Sequence, residues 1–91
     1  MSKKTVVQVT WLDSGHQEGE MDEESIKNLH PMRMVSYGLL MVDDDERVII
    51  SNHACIYVCE SGDTHMDYRD TLCIPRNSII SVDVLGEVEV G

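Results

Sequence analysis

Val35-Ser-Tyr-Gly-Leu-Leu-Met-Val42, Asp43-Asp-Asp-Glu46 and Arg47-Val-Ile-Ile-Ser-Asn-His-Ala-Cys-Ile-Tyr-Val58 form the stretch that decides the fold. Two segments rich in Val, Ile, Leu and Tyr flank four acidic residues, the pattern of strand, turn and strand. Four consecutive carboxylates are tolerated in a turn open to water, whereas a packed strand would have to desolvate them without partners. Val35 to Val58 therefore reads as one long β-hairpin, and the rest of the chain is read outward from it.

Its first strand, Met32 to Val42, places Val35, Tyr37, Leu39 and Met41 on one parity and Met34, Gly38, Leu40 and Val42 on the other. Both faces are partly apolar, which suits a strand bent through a small barrel, and Gly38 suits the bend. Its second strand, Arg47 to Val58, is apolar at Val48, Ile50, Ala54, Ile56 and Val58, with Asn52 interrupting the row as a bulge would. Upstream, Thr5 to Leu12 alternates as a strand with Val7, Val9 and Trp11 on one face. Asp13-Ser14-Gly15 has turn chemistry, and His16 to Glu20 reads as an exposed loop.

Asp22 to His30 reads as a short helix. Asp22 is placed to cap it, Glu23 and Glu24 lie in the first turn, and Pro31 closes it. Two turns are too short to stand alone, so Ile26 and Leu29 are expected to lean on the sheet. Downstream, Thr64 to Ile74 reads as a fourth strand and Ile79 to Leu85 as a fifth, with Pro75 at a strand end. Residues 86–91 read as a frayed acidic tail, although Val88 and Val90 alternate as a continuing strand would.

The chain is thus expected to be mainly β: one domain over residues 1–91, a small five-stranded strongly bent barrel with one short helix at about 22–30. Ninety-one residues with 42% apolar content support one globular core. A core this small is marginal, which makes association attractive. Seventeen Asp and Glu against seven Lys and Arg give a net charge of −10. That charge repels phosphate backbones and anionic lipid surfaces. No apolar run approaches a membrane span, and the three cysteines, an odd number, suit a reducing compartment. A cytoplasmic location, of a cell or of a phage-infected host, is the expectation.

Gly38, Leu40 and Asp44, followed by the apolar alternation of Val48 and Ile50, resemble the first motif of Sm-like proteins. Cys73-Ile74-Pro75-Arg76-Asn77-Ser78-Ile79-Ile80 is similar to their second motif, with Asn77 where Gly is usual. Asn is the residue that best replaces Gly at positive φ. The early Val9-Thr-Trp11-Leu-Asp13 and the late Ile74-Pro75 also resemble small proteins of tailed phages. The Sm-like resemblance spans about Val35 to Leu85. It implies a five-stranded bent barrel, a ring formed by edge-strand pairing, and an RNA contact at Arg76 and Asn77 with Asp44 as turn-side partner. The Asn that usually follows the Asp is missing, since this region reads Glu46-Arg47-Val48. Single-stranded RNA binding is disfavoured further because seven scattered basic residues make no track for a phosphate backbone.

Three constellations carry potential chemistry. His53, Cys55, Cys59, His65 and Cys73 suggest zinc, but Cys55 and Cys59 lie roughly 13 Å apart along an extended strand, beyond one tetrahedral site. Asp43 to Glu46 lacks the spaced oxygens and glycine turn of a calcium loop. His65, Asp67 and Asp70 with Cys73 contain the types of a nucleophile–base pair, without a glycine-rich oxyanion or phosphate loop. No metal, cofactor or catalytic site is therefore expected. Met21, Met32, Met34, Met41 and Met66 read as core filler, and exposure of Met32 and Met34 beside Tyr37 would instead mark a partner site. The expected function is a non-catalytic homo-oligomeric interaction module, with an RNA-binding Sm-like ring as the alternative.

Overall fold

The computed structural model describes residues 2–15 and 19–90. His16, Gln17 and Glu18 of the expected loop lie outside the described residues, as does Gly91 at the end of the expected tail. Five antiparallel strands, β1 (Ser2–Asp13), β2 (Met32–Asp43), β3 (Arg47–Val58), β4 (Thr64–Pro75) and β5 (Ile79–Val90), form one sheet in the order β4-β3-β2-β1-β5. A short helix α1 (Glu23–Lys27) joins β1 to β2, and a 3-10 turn at Arg76–Ser78 joins β4 to β5. Among the described residues no helix is long and apolar enough to cross a membrane.

The core is small and comes from alternate residues of three strands. Val7 and Val9 of β1, Val48 and Ile50 of β3 and Ile74 of β4 are fully buried. Trp11, Leu40, Leu72, Ile79 and Val82 pack around them. The indole Nε1 of Trp11 donates to Ser36 Oγ at 3.0 Å, so its polar edge is satisfied while the ring closes the end of the cluster.

β2 is the strand on which the sheet turns. Residues 32–39 pair with β1, from Asp13↔Met32 to Val6↔Leu39, while residues 39–43 pair with β3. A bulge at Met41 shifts the second ladder by one residue and sharpens the bend. Gly38 stands at the changeover. A Cβ there would lie 2.8 Å from the Ser51 carbonyl oxygen and 3.2 Å from Ile50 Cβ, so β3 crosses closer than any side chain allows. The expectation that Gly38 serves a bend acquires a specific cause: close approach of a neighbouring backbone.

The mainly β expectation of five strands and one short helix is met, but the sheet is not closed into a barrel within the single chain. β2 and β3 part after Leu39↔Ser51, and β4 and β5 remain on opposite outer sides. Two ribbons of two strands each project from the core. Ser2–Thr5 pairs only with Glu87–Val90, and His53–Val58 pairs only with Thr64–Arg69. They approach each other where the Lys4 ammonium lies 5.7 Å from the Tyr68 ring. The molecule consequently measures 63 × 26 × 20 Å, with a radius of gyration of 18.1 Å. A compact chain of this length would have about 12 Å.

Three further expectations change. β5 continues to Val90, so 86–90 is strand and not a frayed tail; pairing with the start of β1, through a register shift near Gly86, supplies its missing hydrogen bonds. α1 ends at Lys27, three residues before His30. Asn28 terminates it, its N–H donating to the Ser25 carbonyl, the Leu29 N–H donating to the Ile26 carbonyl, and the Asn28 side-chain amide donating to the Glu24 carbonyl. Asp22 caps its start as expected, accepting from the Ser25 N–H at 2.7 Å, but the helix buries no residue and Ile26 and Leu29 stay exposed. Finally, the irregularity expected at Asn52 falls across the ladder at Asp70, whose φ is +56°. There the buried Ser51 hydroxyl donates to the Arg69 carbonyl at 2.6 Å, replacing a ladder bond with a side-chain bond.

Candidate functional site

The two resembling motifs meet in space. Asp44 organises the β2–β3 turn: its Oδ1 accepts the N–H groups of Glu46 and Arg47, both at 2.9 Å, and its own N–H donates to the Arg47 carbonyl. Those two N–H bonds, Glu46 first, hold the Asp44 carboxyl below its usual range, aided by the Arg47 and Arg76 charges. Arg76, arriving from the 3-10 turn, grips the same loop. Its guanidinium donates to the Asp44 carbonyl at 3.0 and 2.7 Å and to the Asp43 carboxylate, while its backbone N–H donates to the Glu46 carbonyl at 2.9 Å. The acidic hairpin tip is therefore fastened to the end of β4 by one arginine.

Asp44 and Arg76 are brought together; Asn77 is not part of the grip. It sits exposed in the right-handed 3-10 turn, and Asp70 is the non-glycine residue with positive φ among those described. The backbone at residue 77 demands no glycine, which removes the conformational reason for Asn there. The part played by Asp43 and by the Glu46 carbonyl was not legible, because a run of four carboxylates does not say which one faces an arginine thirty residues on.

This turn yields a pH dependence with a definite sign. Asp44 has a lowered pKa in the fold, so the stability its carboxylate lends is present above the ordinary carboxylate range and is lost as pH falls through the folded value. Asp44→Asn keeps an oxygen for the two N–H groups but not the charge. Acid titration of its unfolding midpoint is expected to run flatter than wild type below about pH 4, and an identical slope would show that the turn is not a titrating element.

Of the residues considered for zinc and for catalysis, His53, Cys55, His65 and Asp67 share one face of the β3–β4 ribbon. His53 opposes Arg69, Cys55 opposes Asp67 and Tyr57 opposes His65. They are held in separate pairs: His53 Nε2 with Asp70 Oδ2 and His65 Nε2 with Asp67 Oδ1, both at 2.9 Å. Tyr57 stacks on His65 with centroids 6.2 Å apart, and Arg69 donates to the Tyr57 hydroxyl at 3.0 Å. That bond is the largest cause holding the Arg69 pKa above its ordinary value. Cys73 opposes Ile49, six positions along β4 from the residue facing Cys55, about 20 Å at strand rise. Among the described residues no group of three or more His, Cys, Asp or Glu side chains is placed to hold a metal ion.

A cleft of about 740 Å³ opens where β2 leaves β3. Val6, Val35, Leu39, Ile50, Leu72 and Val88 give it apolar walls, with Ser36, Tyr37 and Asn52 as its polar groups. None of the His–Asp pairs above lines it. Met32 and Tyr37 beside it are more than half exposed, and Met34 is half-buried. The expected exposure of Met32 and Met34 beside Tyr37 is thus met by Met32 and not by Met34. No family model, curated protein or solved structure matches this chain.

Proposed function

We propose that this protein is a non-catalytic interaction module that works as a homo-oligomer, its copies joined along open strand edges. The observation that supports this is the sheet order, which leaves β4 and β5 as outer strands on opposite sides. β5 also shows Ile80, Val84, Leu85 and Val88 to solvent. An outer strand with apolar side chains and open backbone groups is a template for another strand. Joining β4 of one copy to β5 of the next is a head-to-tail contact, which closes into a ring where the rotation allows. In this reading the Sm-like barrel is completed between copies.

The surface area agrees. The chain exposes 6770 Å², whereas a compact monomer of this mass exposes about 5,400 Å². The excess of about 1,400 Å² matches nearly two patches of the roughly 800 Å² that each partner contributes to a standard interface. Light scattering behind size exclusion is expected to give a multiple of the chain mass at micromolar concentration. A strict monomer would overturn the proposal.

A ring binding single-stranded RNA is the second reading, favoured by the meeting of Arg76 with the Asp43–Asp44 turn. Against it, the guanidinium is engaged by that turn and the net charge is −10. Titration with oligo-U at low salt, where attraction between opposite charges is strongest, separates the two. Binding lost in Arg76→Ala, with the oligomer intact, would displace the first reading in favour of the second.

A further inference from the structure

β2 and β3 run side by side as far as Leu39 and Ser51 and then separate, although both continue as strands. Beyond that point Met32–Gly38 is paired along its β1 side, and His53–Val58 along its β4 side. The two edges left open toward each other are seven residues long apiece (32 to 38 and 52 to 58). In a chain with seventeen acidic residues, neither segment contains an Asp or a Glu.

Continuing the register of Leu39↔Ser51 shows how well they match. Ser36 would face Ala54, Met34 would face Ile56 and Met32 would face Val58 on one side of the ladder. Tyr37 would face His53, Val35 would face Cys55 and Arg33 would face Tyr57 on the other. Met32, Tyr37, Ile56 and Val58 are 60%, 54%, 51% and 75% exposed in the single chain. Within that chain the β3–β4 ribbon is turned aside by the positive φ of Asp70, the Ser51–Arg69 bond and the contact of Tyr68 with Lys4.

We propose that the occupant of each open edge is the complementary open edge of a second copy. Asn52–Val58 of one chain adds to Met32–Gly38 of another, antiparallel and over the apolar cleft. The inference rests on the self-association reading and names an interface apart from β4 and β5. Three observations select a second copy over a foreign peptide. The edges match each other in length, direction and side chains. Both lack the acidic residues that elsewhere repel a like chain. A two-stranded ribbon is marginal in water and gains most from a third strand.

The experiment uses the register. Val35→Cys is made in a full-length chain carrying Cys59→Ser and Cys73→Ser, leaving Cys55 as its counterpart, and is oxidised with a glutathione couple. Directly opposed ladder residues bring their Cα atoms within disulfide reach. The expected result is a covalent dimer whose peptide map contains a 35–55 link between differently isotope-labelled chains. Tyr37→Cys with His53→Cys, in the chain with all three native cysteines changed to serine, is a second pair that should behave alike. A 35–55 link within one chain, a 55–55 link, or no link overturns the inference. If wild type sediments as an oligomer and neither pair links between chains, this interface is wrong and self-association stands. If wild type sediments as a monomer, both fall.

Discussion

Replacing Ile74 by alanine is expected to destabilise the protein by about 2–5 kcal/mol. Ile74 is fully buried, one of five such apolar residues among those described, and the one that β4 contributes. Its removal takes away the transfer energy of three carbons and leaves a hole that two flanking strands cannot easily fill. Val48 opposite and Leu72 two residues earlier are tied to their own ladders. A 91-residue domain has roughly 5–14 kcal/mol to lose, so this one truncation removes a large part of it. Urea unfolding followed by circular dichroism checks the value, and a loss below 1 kcal/mol would show that β4 is not fastened through this core. Ile74→Val, which removes one methylene, should cost about 0.5–1.5 kcal/mol.

Gly38→Ala is the second large effect, and its sign is diagnostic. Were Gly38 simply a weak strand residue, alanine would stabilise by about 0.5–1 kcal/mol, because glycine loses more backbone freedom on folding. The added methyl would instead meet the Ser51 carbonyl at 2.8 Å and Ile50 Cβ at 3.2 Å. Backbone cannot swing aside as a side-chain tip can, so the β2–β3 ladder must shift. The expected change is a loss of about 1–3 kcal/mol for alanine, and more for valine, whose two further carbons enter the same crossing. A more stable Gly38→Ala protein would mean that β3 does not cross β2 at this point.

The two strands and the acidic turn of Val35–Val58 were legible because their signals are local, but they pair as a hairpin only from Leu39↔Ser51 to the turn and not over their whole length. β-branched residues alternate with period two on both sides of an acidic run, and β3 spans the expected Arg47–Val58. The face of Val7, Val9 and Trp11 and the Asp22 cap followed in the same way, whereas the meeting of Arg76 with Asp44 was expected only from the resemblance to Sm-like motifs. The helix end and the C-terminal strand were less legible. α1 stops where Asn28 offers its backbone a better partner, and residues 86–90 are strand because the start of β1 lies beside them. Asn77 shows how a motif can mislead: the chain turns at Arg76–Ser78 with right-handed backbone, and the left-handed residue is Asp70.

By itself the amino-acid order determined roughly where the five strands lie, which faces are apolar and that the acidic tip lies in water. These follow from side-chain periodicity and from the cost of burying charge, which neighbouring residues settle among themselves. Only the tertiary structure decided that β2 is shared between two ladders, that β1 pairs with β5, and that the sheet stays open with two ribbons and a cleft. Strand pairing is made by backbone groups that are alike in every residue. The choice of partner therefore rests on the summed packing of the whole chain, and on one glycine where two strands cross.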